Sequence, residues 1–214
     1  MIPSELNNYW KNYNNNLEQI IVFYSHNNGE YKCFSNFYTS TFDYKIKHGI
    51  FKDKIFSVEF AEKAIMLSKA SIMNDTETFS KILNAKTPLE AKKLGREVKP
   101  FDQDIWDKNI CNIAEDICLS KFSQNSNLKD ILLSTGNKII AEASPRDKIW
   151  GIGIGSKNPN TQNKTEWKGT NILGWALMEA RESLNKKDNL SIFEHDSFED
   201  RNIQMELQKY KEDY

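Results

Sequence analysis

Between Val58 and Met73 the apolar residues recur at helical spacing, and two charges stand inside the apolar stripe. At about 100° per residue, Val58, Ala61, Glu62, Ile65, Met66, Lys69, Ile72 and Met73 fall on one face, while Ser57, Lys63, Ser68 and Ser71 fall elsewhere and are expected on an outer face. Glu and Lys are almost never fully buried without a partner. An acid and an amine two turns apart on a core-facing side therefore point to a wet pocket, unless the stripe runs into solvent and both side chains snorkel.

Helices dominate the chain around this segment. Thr87-Pro88-Leu89-Glu90 supplies a cap, a proline at the first helical position and an early acid, and the helix it opens ends near Gly95. Asp104 is a candidate cap for a longer helix carrying Ile110, Ile113, Ala114, Ile117 and Cys118. Leu128 to Leu133 mark another helix, stopped by Gly136, and a closing helix covers roughly 171–184. Strands are few: Ile20–Tyr24 is β-branched and aromatic before a turn-prone Asn27-Asn28-Gly29, and a second strand is expected around Lys54-Ile55-Phe56 within loops. The Gly-, Asn-, Pro- and Lys-rich stretch 143–170 is too long for a mere connector. The polar tract 7–16 reads as an arm outside the core, and in the charged tail Ile192, Phe193, Ile203, Met205 and Leu207 suit the docking of a last helix.

Several classes are disfavoured. The net charge of −1 carries no overall basic footprint for nucleic acid. Cys33, Cys111 and Cys118 form no C-x-x-C pair, and the three histidines are scattered, so no zinc pattern exists and a reducing compartment is expected. The N-terminus does not read as a secretory signal, and no apolar run approaches membrane-spanning length, so the expected location is the cytoplasm, without membrane partners. Gly151-Ile152-Gly153-Ile154-Gly155-Ser156-Lys157 has neither dinucleotide nor P-loop spacing.

Eight fragments in order then become recognisable: Phe34-Ser35-Asn36-Phe37-Tyr38, the Glu62/Lys69 helix, Ala85 through Arg96, Trp106, Lys121-Phe122-x-Gln124, Leu133-x-Thr135-Gly136, Glu142-Ala143-Ser144-Pro145-x-Asp147-x-x-Trp150-Gly151-x-Gly153, and Trp167 through Arg181. Over about residues 20–184 the chain resembles the NADAR, or YbiA-like, family. The resemblance implies a fold that is mainly α with a small β component. It divides the chain into an Asn-rich extension (1–18), a single multihelical YbiA-like domain (19–184) and a charged extension (185–214).

It also implies an N-glycosidase that cleaves the bond between ribose and an exocyclic amine, without metal or cofactor. The substrates associated with the family are phosphoribosylamino-pyrimidine intermediates of riboflavin synthesis, and ADP-ribose on guanine in DNA or RNA. Lys157, Lys164 and Lys168 would track a phosphate backbone in the second case. A module that binds ADP-ribose-like nucleotides without catalysis is a further alternative, because Lys63 stands where the family has His or Gln.

Two glutamates compete for the family's acid. Glu59 has the matching residues before it, whereas Glu62 has Lys69-Ala70 and Asp75 at the family's spacings and lies in the stripe. On the resemblance, Glu62, Lys69 and Asp147 are the expected catalytic residues. Ser35, Asn36, Arg96, Trp106, Trp150, Gly151 and Asn171 are expected to bind substrate. Each also has a plain structural role open to it: a turn carboxylate for Asp147, a helix-terminal cation for Arg96, core packing for Trp106 and Trp150, loop hydrogen bonds for Ser35 and Asn36, and a helix cap for Asn171.

Overall fold

A computed structural model describes residues 1–13 and 19–188. The expected docking of Ile192 to Leu207 lies outside the described residues. Seven α-helices and four strands are described: α1 (Pro3–Asn12), β1 (Ile20–Phe23), β2 (Thr39–Lys45), β3 (Ile55–Phe60), α2 (Ala61–Ile72), α3 (Thr76–Leu83), α4 (Pro88–Gly95), α5 (Gln103–Ser123), α6 (Ser126–Leu133), β4 (Ile139–Glu142) and α7 (172–188). The fold is mainly helical with a small β component, as expected. None of the described helices is long and apolar enough to cross a membrane.

The strands form two separate pairs. β2 and β3 run antiparallel, with a register irregularity between Thr39 and Phe42. β2 alternates strictly, Ser40, Phe42 and Tyr44 inward and Thr39, Thr41, Asp43 and Lys45 outward, as a half-buried strand requires. β1 and β4 are parallel, pairing Ile20 with Ile139 and Phe23 with Glu142 across most of the chain's length.

β3 passes into α2 without a linker, so the helix begins at Ala61 rather than near Ser57. Pairing with β2 holds 55–60 extended although its residues also fit the helical period. The expected outer face of α2 does not exist either. Lys63, Ser68 and Ser71 are buried along with the stripe, because β3, α3, α4 and α5 surround the helix. Each of these polar groups is satisfied there. Lys63 donates to the Glu59 carboxylate and more weakly to the Leu83 carbonyl, Ser68 donates to the Ala64 carbonyl and shares a hydrogen bond with the Tyr44 hydroxyl, and Ser71 donates to the His48 carbonyl.

The α4 cap is as expected, with Thr87 Oγ1 accepting from the Glu90 amide. The α5 cap is Asp102, whose carboxylate accepts from Ile105 N, and Asp104 sits in the first turn. The described part of the N-terminal tract, residues 7–13, is not an arm outside the core. Leu6 and Trp10 of α1 are buried, and Trp10 Nε1 donates to the Thr170 carbonyl at 2.8 Å, tying α1 to the end of the 143–170 loop.

α7 closes the core over β4. Ile172, Leu173, Ala176, Leu177 and Ala180 are buried, and Gly174 lies against the strand so tightly that a Cβ there would sit 2.1 Å from the Ile140 carbonyl oxygen and 2.3 Å from Asn171 Nδ2. Backbone cannot yield as a flexible side chain can. Gly174→Ala is therefore expected to cost about 3 kcal/mol, read as a lower urea midpoint with an unchanged m-value.

Candidate active site

Glu62 in the first turn of α2 and Lys69 in its last turn face the same side, roughly 10 Å apart along the axis. Only 4% of Glu62 is exposed. Burial pushes its carboxyl up to about 7; the Asp147 charge adds to the rise, and Lys92 and Arg96 oppose it. The Glu62 amide donates to the Asn36 carbonyl at 2.9 Å, so the 35–36 turn sets where the helix starts. That turn is itself held from α5: Lys121, buried, donates to the carbonyls of Cys33 and Ser35, and burial lowers its amine to about 8.

Lys69 is half-buried. Its amine donates to the Gly95 carbonyl at 2.7 Å and lies 4.3 Å from the Phe101 ring centre and 6.0 Å from that of Trp106. Burial, reinforced by the Arg96 charge, holds it below the ordinary lysine range. Arg96 ends α4 and lines an open cleft of about 590 Å³ whose other charged residues are Lys81, Lys99, Asp75, Glu77 and Glu97.

The 143–170 loop, which carries only short 3₁₀ turns, brings in Asp147. One carboxylate oxygen accepts from the amides of Ile149 and Trp150 at 3.0 and 2.8 Å, and the other faces Lys92 of α4 at 3.9 Å. Asp147 thus shapes its turn and acts electrostatically on Glu62 at once. Trp150 is half-buried against the main core.

Asp147, Lys92 and Arg96 thus act on Glu62 through charge, Arg96 acts on Lys69 as well, and Trp106 lies beside the Lys69 amine, with Ser35 and Asn36 joined through backbone. Glu59, the competitor, is exposed and paired with Lys63. Two further expected residues hold the fold around the site. Asn171, fully buried with φ +52°, starts α7 without capping it by its side chain; its amide accepts from Glu142 N and donates to Ile140 O, clamping β4. Gly151 contributes backbone, since a Cβ there would lie 2.7 Å from the Glu142 carbonyl.

Sequence reasoning missed three members of the cluster. Lys92 gave no signal beyond a helical charge, and Phe101 is an exposed ring that only the fold carries to Lys69. Glu142 was readable, because an acid ends the otherwise apolar Ile139-Ile140-Ala141. Its Oε2 is buried without a hydrogen-bond partner, a situation that costs about 1–3 kcal/mol. Burial, then Asp147 and Glu62, push its carboxyl up to about 8 against the pull of Lys92. Among the described residues no group of three or more His, Cys, Asp or Glu is arranged to hold a metal.

This fold is that of a solved structure, the NMR structure of the Escherichia coli protein YbiA, with a TM-score of 0.62 and 26% identity over 80% of this chain and 88% of that one. A family model described as the NADAR domain matches residues 22–185, and the chain belongs to the NADAR family. It is 42% identical over 137 residues to N-glycosidase R617 of Acanthamoeba polyphaga mimivirus, covering 62% of this chain and 81% of that protein. A stretch of 104 residues is 33% identical to the chloroplastic riboflavin biosynthesis protein PYRR of Zea mays, 47% of this chain and 15% of that longer protein.

Proposed function

We propose that this hydrolase of N-glycosyl bonds cleaves ribose from an exocyclic amine, with phosphoribosylamino-pyrimidines as its substrate class. The observation that carries the reading is the pairing, on one helix face, of a buried carboxyl raised to about 7 with an amine lowered by burial. A nucleotide binder needs neither. Family membership and the named N-glycosidase relative support the bond cleaved, and the partial likeness to a riboflavin biosynthesis protein supports the substrate.

In this reading Glu62 carries protons, Asp147 meets the ribose hydroxyls or the water, Trp106 and Trp150 flank the base, and Arg96 takes the phosphate. Ser35 and Asn36 border the sugar. Ring opening converts the glycosylamine into an imine. Lys69, as a neutral amine, keeps its bond to the Gly95 carbonyl and still has a lone pair to add to that carbon. The base amine leaves, and water then hydrolyses the imine on Lys69.

The loop lysines weigh less for a nucleic-acid substrate than the sequence suggests, since the Lys164 amine is engaged by the Tyr13 carbonyl. The test follows released base chromatographically from a phosphoribosylamino-pyrimidine and from an ADP-ribosyl-guanine oligonucleotide. Release from the first is expected. Release from the oligonucleotide alone overturns the substrate class, and nucleotide binding with no release from either overturns the enzyme.

A further inference from the structure

Glu142 is the one acid of the cluster to which neither the resemblance nor the mechanism above gives a role. Its backbone is held unusually firmly for the last residue of a four-residue strand. The amide donates to Asn171 Oδ1 at 3.1 Å, and the carbonyl accepts from Ser144 N at 3.0 Å and Ile152 N at 2.9 Å. Asn171 adopts a left-handed backbone to do this, and a second bond from its amide to Ile140 O fixes the strand again. All this order ends in a carboxyl whose Oε2 is buried and unpartnered among the described residues. A buried polar atom left open beside a cluster of functional groups marks a place for a ligand atom.

Resting on the hydrolytic reading above, we infer that Glu142 is a further catalytic residue, the acid that hands its proton to the departing exocyclic nitrogen while Glu62 takes a proton from the water. As the C1′–N bond breaks, its electron pair stays on nitrogen, which accepts the Glu142 proton and leaves as a neutral amine. Water adds to C1′ and gives its proton to the Glu62 carboxylate, and passage of that proton to Glu142 restores both groups with one water consumed. On the route through Lys69 the proton lost by Glu142 is regained from the Lys69 nitrogen during amine exchange.

The neighbours separate these roles. Asp147 is committed to two backbone amides through one oxygen and faces Lys92 with the other, so neither oxygen is open to the leaving group. The charges acting on Glu142 are Asp147 from the loop, Lys92 from α4 and Glu62 from α2, while Asn171 beside α7 is neutral. Burial raises both carboxyls, but Glu62 also feels the Arg96 cation, which favours its ionised form, so Glu142 is the better placed of the two to keep its proton.

The experiment is Glu142→Gln, which keeps the shape and a donor group but delivers no proton. With a ribosylamine substrate kcat is expected to fall about 100-fold, KM to change little, and the loss of activity above about pH 8 to vanish. With 4-nitrophenyl riboside 5-phosphate, whose phenolate leaves without a proton, the variant is expected to match the wild type. Equal loss on both substrates, or undiminished turnover of the ribosylamine, overturns the inference. An infrared band of protonated carboxyl at pH 7 reads the same group without turnover: it is expected to be weaker in E142Q than in wild type, the remainder belonging to Glu62, and an unchanged band is equally fatal. A wild type that cleaves no ribosylamine defeats the glycosidase reading first; wild-type turnover with an unchanged variant defeats only the part given to Glu142.

Discussion

Glu62→Gln is expected to abolish most turnover and, above neutral pH, to make the protein more stable. Both effects come from one cause. In the folded chain burial raises the carboxyl from 4.5 to about 7. An acid whose folded value is raised binds its proton more tightly in the native state, so unfolding releases protons between about pH 4.5 and 7. Stability is therefore highest below the unfolded value, and its share is lost as pH climbs through this window. At about 1.4 kcal/mol per pH unit, the loss is about 3 kcal/mol at pH 7 and slightly larger above it. Glutamine carries no such penalty. The variant should melt several degrees above wild type at pH 8 and converge with it near pH 4.5. Its kcat should fall about 10²- to 10⁴-fold, the range for a lost acid–base group. Equal melting temperatures at pH 8 would remove the buried, raised carboxyl on which the candidate site depends, and near-wild-type turnover would remove its role as proton carrier.

Glu62 was legible in the sequence because a charge on an apolar helical stripe needs a physical reason wherever it occurs. The same logic applied to Glu142, at the end of an apolar run, yet the run is too short to separate strand from helix. Its partner is also remote: β4 lies beside β1, more than a hundred residues away. What distinguishes Glu142 is the company of Asp147, Lys92 and Glu62, which only the closed fold assembles. Thr87 and Pro88 wrote the start of α4 in local chemistry, whereas two aspartates stand two residues apart at the start of α5 and Asp102, not the expected Asp104, is the cap. The outer face assigned to α2 failed because periodicity ranks residues by polarity and cannot see that Lys63, Ser68 and Ser71 each find a partner inside. Similarly, α1 was hidden by its asparagines. Leu6, Trp10 and Tyr13 recur at helical intervals, and two of them suffice to bury the segment.

In the proposed reaction Lys69 is the residue on which the two routes differ. Its amine is lowered by burial and by Arg96, so a larger fraction is neutral at pH 7 than for an exposed lysine, and neutrality is what nucleophilic attack requires. The Phe101 ring at 4.3 Å and the Gly95 carbonyl hold it without consuming its lone pair when it is uncharged. Borohydride added during turnover is expected to reduce a ribosyl imine on Lys69, giving a mass increase on that residue by peptide mapping and a progressive loss of activity. Lys69→Ala should show no adduct and at least about a 100-fold lower kcat. Lys69→Arg should also fail, since guanidinium stays protonated and is no nucleophile, although it preserves the charge beside the rings. An active Lys69→Arg enzyme would assign the position to electrostatic support. Wild-type turnover with no trapped adduct would transfer the chemistry to direct attack of water at C1′, with Glu62 as its base.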